Sequence, residues 1–129
     1  MKRTAAIISF LLMLTACADR PLREDAMPTC SGEADCAAKW SAARVWVLSN
    51  FAVSSDIHVV GDSLIYSAPA GGWPVFGPSV KVVKDRIANS ERYRLDLVIT
   101  CEPLSICTSR SEELLASFNH QINAVAASP

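Results

Sequence analysis

The cysteines are the residues whose types and spacing most clearly suggest chemistry. Four of the five form two pairs with the same short spacing: Cys30 and Cys36 in "CSGEADC", and Cys101 and Cys107 in "CEPLSIC". In an oxidising compartment an even set of this kind predicts two disulfides, for which three pairings are possible. We favour the local pairings, Cys30–Cys36 and Cys101–Cys107, because each pair flanks a predicted element boundary.

Zinc coordination by the same four cysteines is the main alternative. Structural zinc sites usually use tight Cys-x2–4-Cys knuckles, and both spacings in this chain are wider. A redox-active dithiol is disfavoured because no Cys-x-x-Cys motif is present. The cysteines therefore predict structural disulfides rather than a metal or redox site.

The side chains that could act as acids, bases or metal ligands show no catalytic pattern. A catalytic base needs a nucleophile or water within reach and usually a third group to orient it, and no Gly-x-Ser-x-Gly motif is present. His58 falls on the outward face of a predicted strand and His120 lies off the centre of a helical apolar stripe, so both are expected at the surface. Asp56 and Asp62 lack the spaced oxygen ligands of a calcium loop. We therefore predict no enzyme activity, no metal and no cofactor.

The segment "SAPAGGWPVFGPS", residues 67–79, is the best candidate for a binding site in the sequence. It connects two predicted strands and so lies at an edge of the sheet, where loops carry function. Trp73 and Phe76 suit a binding surface because aromatic residues often dominate interface energies. The alternative is that both rings fold back and cover the end of a small core.

The N-terminus has the layout of a secretory signal. Lys2 and Arg3 form a short positive region, and "AAIISFLLML" from Ala5 to Leu14 is an unbroken apolar run. A helix needs about 20 apolar residues to cross the hydrocarbon core. This run is too short to span a bilayer and predicts a signal peptide over residues 1–16.

The end of that signal, "LTAC" at residues 14–17, resembles the lipobox of bacterial lipoproteins. The resemblance implies cleavage before Cys17, diacylation of its thiol and acylation of the new N-terminus. Several acyl chains together make a stable membrane anchor. The alternative is an ordinary secretory signal that happens to contain a cysteine.

The residue after the lipidated cysteine bears on localisation. In bacterial lipoproteins, aspartate at this second position favours retention in the inner membrane. Here Ala18 has that place and Asp19 follows it. The resemblance therefore implies an outer-membrane anchor facing the periplasm, with the periplasmic side of the inner membrane as the alternative.

The length and the net charge of the chain limit the number of domains and the kinds of partner that can be expected. Removal of 16 of the 129 residues leaves 113, which is one domain, small enough for cross-links to help a limited core. Lys2 and Arg3 are removed with the signal, so 10 of the 12 basic residues remain. With 13 acidic residues, the mature chain has a net charge of −3. This balance argues against nucleic acid as a partner.

The mature chain is expected to start with a tether and a helix. Residues 17–29 comprise the lipidated cysteine and "ADRPLREDAMPT", which is charged, carries two prolines and has no periodicity, as in a flexible linker. A first helix is expected to begin between Ser31 and Asp35, either of which could cap it. We place Trp46 at the edge of its apolar stripe. The stripe recurs at steps of three and four residues and contains Cys36, Trp40, Ala43, Val47 and Phe51.

Four strands are predicted after this helix. "DIHVVGD" leads through the turn "GDS" to "LIYSA", and "SVKVVKDRI" leads through the turn "ANSE" to "YRLDLVITC". The last strand alternates most clearly, because Leu95, Leu97, Ile99 and Cys101 share one face. This pattern predicts an antiparallel sheet with one buried face.

A final helix is expected from "SRSE", where Ser109 and Glu112 have the spacing of a capping box. Its predicted apolar stripe contains Leu115, Phe118, Ile122 and Val125, with Leu114 beside it. The sequence thus predicts a single α+β domain over residues 30–125, followed by a frayed tail over 126–129. In that domain the N- and C-terminal helices pack on one face of a four-stranded antiparallel sheet, in the order α-β-β-β-β-α.

The mature region also resembles a loose group of small proteobacterial envelope lipoproteins. The shared features are "CAAKW", the "DSLIYS" strand and the cysteine-bounded loop "CEPLSIC", and the likeness runs over most of Cys30 to Asn123. The resemblance implies an envelope domain of this layout and brings no activity with it.

Three classes of function follow from these observations. The first is a non-catalytic, membrane-anchored periplasmic lipoprotein that binds another envelope protein or scaffolds an assembly. The second is an inhibitor or immunity lipoprotein that blocks a toxin or lytic enzyme, since small disulfide-stapled domains suit that role. The third is an enzyme, for which no motif is found. The expected partners are the membrane, through the lipid anchor, and an envelope or periplasmic protein.

Overall fold

A five-stranded antiparallel sheet and two helices make up the fold in a computed structural model, which describes residues 26–53, 55–69, 77–102 and 108–126. The predicted α+β class, with an antiparallel sheet and two helices, is confirmed. The strand order is β1-β5-β4-β3-β2, so β4 is the central strand. The elements in chain order are β1 (Thr29–Ser31), α1 (Glu33–Phe51), β2 (Ser55–Val60), β3 (Leu64–Pro69), β4 (Gly77–Arg86), β5 (Arg92–Glu102) and α2 (Thr108–Asn123).

The prediction of four strands is wrong by one, because β1 precedes α1. Its three residues pair with the start of β5, with Cys30 opposite Tyr93. The predicted tether also ends earlier than expected, since Pro28 is fully buried and Thr29 already belongs to β1. A three-residue strand is too short to show an alternating pattern, so only its pairing with β5 defines it.

Helix α1 begins within the predicted window, but neither predicted cap is used. The N-cap is Gly32, whose φ of 75° suits glycine, and no side chain caps the helix there. Asp35 instead reaches back, and its Oδ2 accepts a hydrogen bond from the Ser31 backbone N–H at 2.9 Å. All five residues of the predicted apolar stripe are buried, as is Trp46.

Trp46 joins the two helices. Its ring meets Phe118 of α2 edge-on, with ring centroids 5.1 Å apart. The indole N–H donates to Ser117 Oγ at 3.2 Å, so the polar atom of this buried ring is satisfied. The placement of Trp46 at the edge of the stripe underestimated its burial, because α2 covers that edge.

Both predicted turns that link adjacent strands are present. Gly61 in the first turn has φ 58° and Asn89 in the second has φ 57°, a left-handed conformation that glycine and asparagine tolerate best. The clear alternation of β5 is confirmed, with Leu95, Leu97 and Cys101 buried and Ile99 packed against the core.

The hydrophobic core of the described residues lies between the helices and one face of the sheet, which we call the inner face. It combines residues of α1, α2 and strands β1, β3, β4 and β5. In α2, however, Leu115 is 41% exposed, whereas Leu114 packs against the core. The predicted stripe is therefore corrected: Leu114, Phe118 and Ile122 recur every four residues and form the narrow line that α2 presents to α1 and β5.

Candidate binding cleft

The disulfide Cys30–Cys36 is present and ties β1 to the first turns of α1, with the two Cα atoms 5.0 Å apart. This bridge confirms one local pairing and excludes any pairing of Cys30 or Cys36 with the later cysteines. Cys101 is disulfide-bonded as well. Its expected partner, Cys107, lies outside the described residues, so the second pairing stays a prediction.

Three other predicted site residues, Cys17, Trp73 and Phe76, lie outside the described residues. The loop that carries the two aromatic residues joins the end of β3 at Pro69 to the start of β4 at Gly77. Within the described ranges, neither helix is long and apolar enough to cross a membrane. The lipid anchor and the aromatic loop therefore remain predictions from sequence.

The two histidines lie on the surface, as predicted. His58 is exposed and stacks on Tyr66 of the neighbouring strand, with ring centroids 5.0 Å apart. His120 is exposed in the last turn of α2. In the part of the chain that the structure describes, no three His, Cys, Asp or Glu side chains come together in a group that could hold a metal ion.

A cleft lies between α1 and the inner face of the sheet, and we call it the α1–sheet cleft. Its volume is about 680 Å³, within the range of about 300–1,000 Å³ that is usual for ligand sites. One wall is the N-terminal half of α1 and the other is formed by β4, β5 and the turns beside them. It is lined by Gly32, Glu33, Cys36, Ala37, Trp40, Ser41, Arg44, Asp62, Lys84, Arg86, Glu91 and Tyr93.

Lys84 lines this cleft and belongs to the central strand, β4. It pairs with Leu95 of β5 and points, like Val80 and Val82, towards the inner face. Its Nζ lies 5.9 Å from the ring centroid of Trp40 and 5.4 Å from that of Tyr93. Both distances are within the range of a cation–π interaction, so the two rings stabilise the ammonium group in a partly buried position.

Asp62 of the β2–β3 turn neutralises this lysine. Its carboxylate contacts Lys84 Nζ at 2.5 Å, and this hydrogen bond, followed by the coulombic attraction of Lys84, lowers the pKa of Asp62 below its ordinary value. A backbone hydrogen bond of 2.8 Å from the Lys84 N–H to the Ser63 carbonyl holds the same turn against β4. Lys84 therefore holds the turn through two contacts, one from its backbone N–H and one from its side chain.

The rim of the cleft carries both signs of charge. Arg44 and Glu33 lie on α1, while Arg86 and Glu91 lie on the opposite wall. Arg86 Nε donates to the Ser90 carbonyl at 2.8 Å, which fixes the guanidinium beside the β4–β5 turn. Tryptophan, tyrosine and arginine are the residue types that dominate binding energy at protein interfaces, and the α1–sheet cleft contains all three.

A second groove lies between α1 and the end of α2, and we call it the α1–α2 groove. Its volume is about 490 Å³ and none of its lining residues is charged. Small and apolar side chains dominate it, among them Ala38, Ala42, Val45 and Ile122. It offers contact area but few groups that could orient a ligand.

The α1–sheet cleft is not predicted by any local pattern in the sequence, although β4 contains one signal of it. In "SVKVVKDR" the buried positions of β4 are Val80 and Val82, and the next two residues in phase with them are Lys84 and Arg86. Charged residues in phase with a buried face indicate either a partner in the fold or the end of the core. The aromatic partners of Lys84 come from α1 and β5, which no local pattern reveals.

No family model, no curated protein and no solved structure matches this chain. Function must therefore be argued from the geometry of the described residues. The α1–sheet cleft is the site with the most specific chemistry, because it combines a held ammonium group, two aromatic rings and a rim of mixed charge.

Proposed function

We propose that this protein is a non-catalytic, membrane-anchored periplasmic lipoprotein that binds another envelope protein through the α1–sheet cleft. The observation that carries the proposal is the cleft itself, where Lys84 lies between Trp40 and Tyr93 under a charged rim. Aromatic and arginine side chains in a concave site with polar surroundings are the usual centre of a protein interface.

The lipid anchor is the part of the proposal that rests on sequence alone. With Cys17 acylated, the mature protein should fractionate with membranes, and density separation should place it in the outer rather than the inner membrane. Changing Cys17 to Ser should leave a longer, unprocessed precursor, because the modified cysteine is the cleavage signal in bacterial lipoproteins. A Cys17→Ser protein that is cut normally and released in soluble form would contradict the anchor.

Site-specific photo-crosslinking of the full chain in cells tests the binding surface. A photoreactive amino acid at Ala37, an exposed residue of the cleft wall, should capture one envelope protein. Val45, which is 60% exposed on the same helix, lines the α1–α2 groove and provides the matched control. Capture from Ala37 but not from Val45 supports the proposal. Equal capture from both, or capture from Val45 alone, would contradict it.

The identity of the captured protein separates the two binding functions that the sequence leaves open. A structural or assembly protein of the envelope fits the main proposal. A toxin or lytic enzyme whose activity falls on binding would instead identify an inhibitor or immunity lipoprotein. The crosslinking experiment thus decides between the two without assuming either.

The aromatic loop supplies a further proposed contact, through Trp73 and Phe76. If both belong to the interface, changing both to Ser should abolish capture and leave the melting temperature nearly unchanged. If they instead cover the core, each truncation should cost about 3–5 kcal/mol, as for buried large aromatics. The melting temperature of the double variant therefore separates a binding loop from a core cover.

A further inference from the structure

The ammonium group of Lys84 specifies the chemistry of a ligand for the α1–sheet cleft. Only 12% of the Lys84 side chain is exposed, and the rings of Trp40 and Tyr93 lie within 6 Å of Nζ. Lys84 Nζ already occupies the sides of the two rings that are turned towards it, so an external cation cannot bind there. The complement of a held ammonium group is an anion, which can form a charge-assisted hydrogen bond with it.

Asp62 shows which anion fits the cleft. Its carboxylate contacts Lys84 Nζ, yet 81% of the Asp62 side chain is exposed to solvent. The turn does not need this contact, because the hydrogen bond from the Lys84 N–H to the Ser63 carbonyl holds it independently. The Asp62 side chain can therefore rotate away while the turn stays in place. Solvent weakens the attraction at the exposed Asp62 end of this ion pair, so a competing carboxylate can take the position of Asp62.

The rim limits the ligand to a modest negative charge. Arg44 and Arg86 add two cations to Lys84, but Glu33 and Glu91 lie on the same rim. These acids repel polyanions such as nucleic acids or polyphosphates, whereas a single carboxylate can approach the three cations. Tyr93 is only partly buried and lines the cleft, so the exposed part of its ring can contact an apolar or aromatic side chain of a ligand.

We propose that the α1–sheet cleft binds a carboxylate next to an aromatic or apolar side chain of the partner protein, and that Asp62 occupies the carboxylate position in the free protein. This inference rests on the proposed function, since it names the group that the partner inserts. Partner binding then includes an exchange, in which the carboxylate of the partner replaces that of Asp62 on Lys84.

Binding of small probes to the purified full chain tests the inference. The probes are N-acetylphenylalanine, which carries a terminal carboxylate, N-acetyl-aspartyl-phenylalaninamide, which carries a side-chain carboxylate, and uncharged N-acetylphenylalaninamide as the control. Nuclear magnetic resonance of the Trp40 indole N–H reports on the site. At least one carboxylate probe should shift this resonance and the uncharged probe should not. The stronger of the two carboxylate probes identifies the source of the group.

Three variants locate the binding group. Asp62→Asn should lower the Kd of the carboxylate probe about two- to fivefold, because the Asp62 carboxylate no longer competes for Lys84. Lys84→Met should abolish the shift while keeping a side chain of similar length. Lys81→Met is the matched control, since Lys81 lies on the same strand but is exposed on the opposite face of the sheet, and it should leave the Kd unchanged.

Several results would overturn the inference. Equal binding of the amide and carboxylate probes would do so, as would an Asp62→Asn protein with unchanged or weaker affinity. If Lys84→Met fails to fold, which its melting curve reports, the Asp62→Asn comparison decides alone. Capture of a partner through Ala37 without carboxylate binding would leave the proposed function standing and remove this inference. Carboxylate binding without any captured protein would support the inference and contradict the protein partner.

Discussion

Helix α1 borders two grooves of opposite character. The α1–sheet cleft contains three basic and three acidic residues around two aromatic rings, whereas no residue lining the α1–α2 groove is charged. Each groove has a tryptophan from the same helix, Trp40 in the cleft and Trp46 in the groove. Trp40 lies beside an ammonium group, and Trp46 packs between Phe51 and Phe118. The same residue type thus packs beside a charged group on one side of the helix and against aromatic rings on the other.

Substitutions of Trp46 and of Lys84 should affect the stability of the fold very differently. Trp46→Ala should lower the free energy of unfolding by about 3–5 kcal/mol, because a buried large aromatic is removed from the contact of two helices. Lys84→Met should lower the free energy of unfolding clearly less than Trp46→Ala does, since methionine keeps the apolar stem and loses only the contacts of the ammonium group with Asp62 and the two rings. Denaturant titration of both variants measures the difference. Similar losses of unfolding free energy in the two variants would mean that Lys84 contributes as much to folding as Trp46 does.

The disulfide stabilises the end of α1 that forms the cleft. Changing Cys30 and Cys36 together to Ser opens a loop of about seven residues, and the chain-entropy relation gives a loss of about 2 kcal/mol. The midpoint of denaturant unfolding should fall accordingly. A double variant with an unchanged unfolding free energy would show that β1 and the first turn of α1 are held by their packing alone.

Asp35, at the same end of α1, makes the stability of the fold depend on pH. The hydrogen bond from the Ser31 backbone N–H holds the pKa of Asp35 below its ordinary value, and Lys39 adds to this effect. A lowered folded-state pKa means that the stabilisation is present above the ordinary pKa and is lost as the pH falls through the folded-state value.

Asp35→Asn tests this linkage. At pH 7 the variant should be about 0.5–1 kcal/mol less stable than the wild-type protein, the usual size of a carboxylate interaction at a helix N-terminus. The gap should begin to close as the pH falls below the ordinary aspartate pKa of about 4, and it should disappear once the pH is below the lowered pKa of Asp35 in the folded protein. Unfolding free energies measured between neutral and acidic pH would contradict the assignment if the gap stayed constant.

Local periodicity explains why much of the fold could be predicted. The stripe of α1 and the alternation of β5 extend over many residues, so each places a whole face of an element, and the structure buries those faces. The three residues of β1 carry no such pattern, and their pairing depends on Tyr93 and its neighbours more than 60 residues away. The sequence predicts Leu115 in the α2 stripe, but Leu114 packs against the core instead. Periodicity alone hardly distinguishes two adjacent leucines at the edge of a narrow apolar stripe.

The α1–sheet cleft could not be predicted in the same way, since its parts come from distant segments. Trp40 comes from α1, Asp62 from the β2–β3 turn, and Lys84 and Tyr93 from adjacent strands. Each has an ordinary local explanation in the sequence, as a core aromatic, a turn residue or a strand charge. Only strand pairing and helix packing bring the ammonium group, the two rings and the carboxylate within contact distance.

The claim that the α1–sheet cleft recognises an envelope protein is tested most directly by the affinity of that protein, once captured, for two matched arginine variants. Arg44 lies on the cleft rim and Arg110 on the exposed surface of α2, and each is changed to Ala. Arg44→Ala should raise the Kd at least about tenfold, which corresponds to an interface residue worth about 1.4 kcal/mol or more. Arg110→Ala should leave the Kd within about twofold. Equal effects of the two substitutions, or an effect of Arg110→Ala alone, would contradict the assignment of the cleft as the recognition site.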